Sequence, residues 1–191
     1  MTTWKIDAAH TNVLFAARHM MVTTVHGTFG EVEGELELDE ANPTASRGEI
    51  RVGIASINTG NTQRDGHLRS GDFFLAEEYP TLVAKVADIT ALGDDYKVTV
   101  DVTIRGVTRP VVFDAEVGGI VPGMRGGRHA GFTLQAKINR RDWGITWNVA
   151  LGGEALLLGD EIKLEIEVAA DEVLVPVAGE KVPVGAGTAA A

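Results

Sequence analysis

The residues able to do chemistry in this chain are few, and the densest group is Arg64, His67 and Asp72, beside the aromatic pair Phe73-Phe74. A guanidinium and an imidazole three residues apart lie on one face of a helix. The guanidinium suits a phosphate through its planar donor fork, and a protonated imidazole would add charge. Arg64 and His67 are therefore candidates to receive an anionic head group; the plainer reading is that they only cap and staple a lid. His10, His19 and His26 form a second group. His10 and His19 have opposite parity on a regular strand, so hydrogen-bonded structural roles are favoured and no metal site is expected. Asp142 beside Arg140 and Arg141 suggests acid–base work, but a salt-bridged turn is the better reading. Gly123-Met124-Arg125-Gly126-Gly127-Arg128 could cradle a phosphate with backbone N–H groups, yet no helix follows it. The chain has no G-x-S-x-G elbow, P-loop, H-E-x-x-H or EF-hand pattern, and no cysteine for a thiolate nucleophile or zinc site. No catalytic residue and no cofactor is assigned.

These groups need elements to position them. A segment as long as 58–80 without structure of its own is uncommon in a compact domain. Thr62-Gln63-Arg64-Asp65 fits a capping box with Thr62 as N-cap. Leu68 would face inward, and Gly71 suits the helix end. The expectation is a short helix and lid near 61–75, followed by a Phe73-Phe74 plug.

Elsewhere apolar and polar residues alternate with period two, the mark of half-buried strands. Val13, Phe15 and Ala17 share one parity on a strand expected to run on through Met20-Met21-Val22, and 31–38 alternates acid and apolar. Ile50, Val52 and Ile54; Leu82, Ala84 and Val86; and Val98, Val100, Val102 and Ile104 continue the series. Val111, Phe113, Ala115 and Val117 follow, then Phe132, Leu134, Ala136 and Ile138, and lastly Ile162, Leu164, Ile166 and Val168. The glycine-rich run 118–131 reads as a flexible loop, and 139–148 as a second polar–aromatic knot. The pattern predicts an all-β chain of eight antiparallel strands. Closure into an up-and-down barrel removes exposed edges, and a sandwich is the alternative. Residues 1–170 form one domain, and 171–191 read as a flexible tail.

Composition narrows the partners. A net charge of −10 over 191 residues excludes a phosphate-backbone binder and disfavours an anionic membrane surface. No stretch approaches the ~18 apolar residues of an integral membrane segment. The opening MTTWKIDAAH lacks a basic region followed by an apolar run, so a cytoplasmic location is expected.

An eight-stranded barrel holds packed side chains or one small ligand. Strands of about 10 residues tilted ~40° give a bore about 25 Å long, which suits a thin apolar chain. Phe15, Ala17, Val52, Val100, Phe113 and Leu134 are the inward candidates, with Phe73, Phe74 and Trp147 at the plugged end. Ala17, Gly34, Ala84 and Ala136 are small enough to leave room; close packing in a filled core is the alternative. A dozen buried methylenes at roughly 0.8 kcal/mol each give about 10 kcal/mol gross, before binding costs.

Several motifs carry a family resemblance. Trp4-x-Ile6-Asp7-x-x-His10 with Phe15, and His19-Met20 with Val25-x-Gly27-x-Phe29, resemble the opening of the YceI-like family. Arg64-Asp65-x-His67-Leu68, Asp72-Phe73-Phe74 and Tyr79-Pro80 are similar to its central motif. Thr103-Ile104-x-Gly106-Val107-Thr108-x-Pro110-Val111, Ile138-Asn139-Arg140-x-Asp142-Trp143-Gly144 and Gly159-Asp160-Glu161-Ile162 match later ones. The resemblance implies a lipocalin-like extended barrel that binds a polyisoprenoid or similar amphiphile, with no established catalysis. Members are often periplasmic or secreted. The expected function is thus carriage of a polyprenyl phosphate, prenyl quinone or similar lipid, with a homodimer possible. The alternative is an enzyme acting on a small amphiphile at the barrel mouth, with Arg64, His67 and Asp72 near the chemistry.

Overall fold

Alternation puts one face of every strand on a common interior, and the strands close around it. The computed structural model describes residues 1–174 apart from 125 and 153–154. Eight antiparallel strands form the barrel, the first three of them interrupted. Strand β1 comprises Thr2–Ile6 and Asn12–His19, β2 Thr23–Phe29 and Val32–Leu38, and β3 Arg47–Gly53 and Ile57–Asn58. The others are β4 (Thr81–Leu92), β5 (Asp95–Ile104), β6 (Val107–Pro122), β7 (Arg128–Asn139) and β8 (Leu158–Glu172). Sequential neighbours pair, as in Val32↔Val52, Ile50↔Ala84, Val86↔Val100, Val100↔Val111, Leu134↔Ala115 and Ala136↔Leu164. Both halves of β1 lie along β8, through Trp4↔Glu172 and Val13↔Ile166, and this closes the sheet. Closure rules out the sandwich.

Side chains heal each interruption. In β1 the Thr11 hydroxyl donates to Ala169 O and accepts from Ala169 N–H, replacing a ladder rung. In β3 the kink is a 3-10 turn, Ile54–Ser56, whose Ser56 hydroxyl donates to Gly53 O and accepts from Gly30 N–H. Glu33, Glu35 and Glu37 on β2 and Lys163, Glu165 and Glu167 on β8 face outward and are exposed. Charge outside and apolar groups inside is the reverse of a membrane-spanning barrel. Among the described residues no helix is long and apolar enough to cross a membrane.

Four local expectations are corrected. The run 118–131 is mostly strand: β6 extends to Pro122 and β7 begins at Arg128, with a bulge at Gly131/Phe132. The bulge breaks the alternation, and a Cβ on Gly118 would lie 3.2 Å from Gly131 O, so glycines here allow close strand approach. Met20 and Met21 do not extend β1; both have positive φ (49° and 61°) and turn the chain into β2. Helix α1 (Thr62–Arg69) is capped by Asn61 rather than Thr62, and it ends at Ser70 rather than Gly71. The Asn61 carboxamide accepts the Arg64 N–H at 2.9 Å, while Asp65 is turned inward and cannot complete a capping box. Finally, β8 runs two residues past the expected boundary at 170, and Val173 N–H bonds Thr3 O. The tail beyond 174 lies outside the described residues.

At the end of the barrel away from α1, Trp4 is fully buried under the Arg128 guanidinium, which lies 5.3 Å from its ring centroid. Arg128 donates to both Glu172 oxygens at 2.8 and 2.9 Å and to Glu40 at 2.7 Å. Hydrogen bonds to Glu172 and then Glu40 raise the guanidinium above its ordinary pKa, and the bond from Arg128 lowers that of Glu172.

Candidate ligand-binding site

Among the described residues, two apolar cavities lie in the interior. The upper one, under α1, measures about 740 Å³; the lower, toward the Trp4 end, about 180 Å³. Ile50, Ala84, Phe113 and Ile166 line both and form a waist between them. Each comes from a different strand and faces inward by period-two alternation.

Every bore residue expected from sequence lies on this surface. Phe15, Ala17, Val52, Phe73, Phe74 and Trp147 line the upper cavity, Val100 and Leu134 the lower, and Phe113 both. Of the small candidates, Ala17 and Ala84 border open space, but Gly34 and Ala136 do not. A Cβ on Gly34 would sit 2.3 Å from Glu49 O, so this glycine serves strand contact, and Ala136 packs in the wall. Sequence parity gave no measure of strand crowding.

Two aromatic groups wall the upper cavity. Phe29 contacts Phe15 and Phe74, with centroids at 5.5 and 6.0 Å. His67 stands edge-on to Phe73 and Trp147 at 5.0 and 4.7 Å. Phe73 and Phe74 thus both line the upper cavity, each in a different aromatic group.

Helix α1 is pinned across the mouth. Asp65 is buried and accepts from Thr59 N–H at 2.9 Å and from the Thr59 hydroxyl. Arg69 donates to Ala55 O and Ile57 O at 3.0 and 2.9 Å. Arg64 and His67 both line the upper cavity. Arg64 Nε donates to the Thr59 hydroxyl at 2.7 Å and Nη2 to Thr59 O at 2.8 Å, so much of its fork is engaged in the lid. His67 Nε2 is 2.8 Å from Asp72 Oδ2. The lid roles of Asp65 and Arg69 are not visible in the sequence, because their partners are mainly backbone groups, with the Thr59 hydroxyl, that pattern does not reveal.

The second knot is scaffolding. Arg140, 4% exposed, donates to Ile145 O and Trp147 O at 2.8 Å, to Gly159 O at 3.1 Å and to Asp160 at 2.9 Å. Burial lowers its pKa below the ordinary guanidinium value. It thereby fixes Trp147 against the cavity. The acid serving Arg140 and Arg141 is Asp160, not Asp142 as the sequence suggested; Asp142 instead offers its carbonyl to Arg109. Trp143 Nε1 donates to Val102 O at 3.0 Å, and Gly144 ends the turn at φ 71°. The loop at 123–127 spends its Gly123 N–H on Gly127 O, and residue 125 lies outside the described set. His19 lines the upper cavity, whereas His10 pairs with Asp7.

The YceI-like domain family matches residues 4–170. The chain belongs to the YceI-like family. Among relatives of this YceI-like protein, a UPF0312 protein of Staphylococcus aureus (strain MSSA476) is 34% identical over 166 residues, covering 86% of this chain and 95% of the relative. A Campylobacter jejuni YceI protein structure is 33% identical, with TM-score 0.69, covering 82% of this chain and 90% of that one. Two more distant structures share the fold. Burkholderia cenocepacia BcnA has TM-score 0.73 at 20% identity, covering 86% and 98% of the two chains. A polyisoprenoid binding domain from Saccharophagus degradans, implicated in plant cell wall breakdown, has TM-score 0.62 at 15% identity, covering 91% and 100%.

Proposed function

We propose that this YceI-like protein binds one long apolar amphiphile of prenyl or acyl type and carries it without chemical change. The observation behind this reading is the pair of apolar cavities that share four lining side chains inside a closed barrel. The upper cavity, at about 740 Å³, falls in the range of small-molecule sites, ~300–1,000 Å³. The tail would pass the waist toward Trp4, and the head would lie under α1. The polyisoprenoid-binding description of the Saccharophagus degradans domain supports the ligand class.

The mouth favours a neutral head, such as a quinone ring, over a phosphate. A phosphate calls for free donor forks, and Arg64 and Arg140 both spend donors on protein partners. His67, Phe73 and Trp147 instead offer an aromatic wall to a ring. The enzyme reading has the His67–Asp72 pair in its favour, but no serine or threonine hydroxyl among the described residues bonds the His67 imidazole; the Ser70 hydroxyl donates only to the His67 carbonyl, so a nucleophile–base arrangement is lacking. Native mass spectrometry of the purified protein, with identification of the organic extract, tests the carrier. A bound prenyl or acyl lipid recovered intact is expected. A side-chain-filled interior that takes up no such chain, or turnover of the bound lipid, would overturn it.

A further inference from the structure

Away from the bore, Asp7, His10, His129 and Asp171 converge on the outer wall of the barrel. They come from three neighbouring strands: Asp7 and His10 from the turn inside β1, His129 from β7 and Asp171 from β8. His129 and Asp171 are direct cross-strand partners. Asp7 is held beside them because its N–H bonds Ala169 O at 2.9 Å. The seam that closes the barrel, β8 against β1, runs through the group.

Each histidine meets a carboxylate. His10 Nδ1 lies 2.6 Å from Asp7 Oδ2, and His129 Nδ1 lies 2.7 Å from Asp171 Oδ1. The two imidazoles stand edge to face at 6.4 Å. One ligand atom from each of Asp7, His129 and Asp171 lies within 4.8 Å of the other two. Tetrahedral zinc with bonds of about 2.0–2.1 Å needs ligand atoms about 3.3 Å apart. The backbone spacing is already fixed by the ladder, so side-chain rotation has to supply the remaining contraction. Asp171 is 63% exposed and His10 73%, which leaves both free to rotate.

We propose that Asp7, His129 and Asp171 form a binding site for a late first-row divalent cation such as Zn²⁺, with His10 swinging in as fourth ligand. Imidazole nitrogen with carboxylate oxygen suits zinc, copper and nickel. Calcium and magnesium prefer all-oxygen shells. Binding replaces the histidine–carboxylate hydrogen bonds with metal bonds and releases protons from any protonated imidazole. The ion ties β7 and β1 to β8 and so clips the closure seam. One further group touches the set, the Ala9 N–H on Asp7 Oδ1, which orients that carboxylate, and Lys5 is the cross-strand partner of Asp171. A lysine at that register position opposes cation binding by like-charge repulsion. The other account is that these are two surface ion pairs, and exposed pairs contribute little to stability.

The test is isothermal titration of chelator-stripped, full-length protein with ZnCl₂ in a weakly coordinating buffer, with melting curves in parallel. The expected result is one zinc per chain and a higher melting temperature. His129→Ala and Asp171→Asn should each weaken binding at least about tenfold, and His10→Ala less. His26→Ala should bind as wild type, and MgCl₂ should give no saturable heat. Unchanged far-UV circular dichroism shows that the variants fold. The proposal is overturned if wild type takes up no zinc, if His129→Ala and Asp171→Asn bind normally, or if His26→Ala abolishes the uptake.

Discussion

Blocking the waist should shorten the longest chain the barrel can hold. Ala84 lines both cavities and pairs with Ile50 across the β3–β4 ladder. In Ala84→Phe the added ring projects into the waist and separates the chambers. The lower chamber, about 180 Å³, is close to the ~150 Å³ of an apolar cavity that holds one benzene, so it takes about six carbons. At ~0.8 kcal/mol per methylene, losing their burial costs about 5 kcal/mol gross. Releasing that segment from confinement returns roughly 1–2 kcal/mol. The net loss of about 3 kcal/mol corresponds to roughly 100-fold in Kd. A short prenyl quinone confined to the upper chamber should change by less than about threefold, since its contacts remain. Titration of short and long homologues against both proteins measures the difference, and a melting curve checks for overpacking, which costs about 1–3 kcal/mol in a filled core. Equal weakening for both lengths, or none for the long one, would refute the threaded-chain reasoning.

Three further outcomes are expected. Arg64→Ala should weaken neutral and phosphate-headed ligands alike, because its Nε and Nη2 donors hold Thr59; in calorimetric titration, a loss more than about tenfold greater for the phosphate (~1.4 kcal/mol) would restore the anionic-head reading. Gly27→Ala places a Cβ 2.2 Å from Phe15 Cζ, so the Phe15 ring must swing into the upper cavity; ligand affinity measured by titration should fall, with the fold retained by circular dichroism. Glu172 has a lowered folded-state pKa, so its contribution to stability is present above the ordinary carboxylate value, ~4.3, and is lost as pH falls through the folded value. Glu172→Gln should therefore melt lower at neutral pH and show a flatter dependence of Tm on pH below about 5; an unchanged slope would mean that the clamp contributes nothing.

The wall of the bore was legible because alternation is a local property. Phe15, Val52, Val100, Phe113 and Leu134 were assigned to the interior by parity alone, and each borders a cavity. Parity also misled where it was broken locally. The bulge at Gly131/Phe132 disguised two long strands as a loop, and the turn at Met20-Met21 resembled continuing strand because both residues are apolar. At the mouth, spacing placed Arg64 and His67 on one side of α1, but it did not show that Thr59 occupies the guanidinium.

Sequence alone therefore determined the strand period, the sides of the strands, the short helix and, through its motifs, the family. Those features depend on neighbours a few residues apart, whose identities are written consecutively. Tertiary structure alone decided closure through β8 and β1, the waist that divides the bore and the choice of Asp160 over Asp142 as partner to Arg140. It also brought His129 and Asp171 to Asp7, more than a hundred residues away along the chain. Such contacts are set by register and crowding between distant strands, and the energies that select them arise only when the sheet closes.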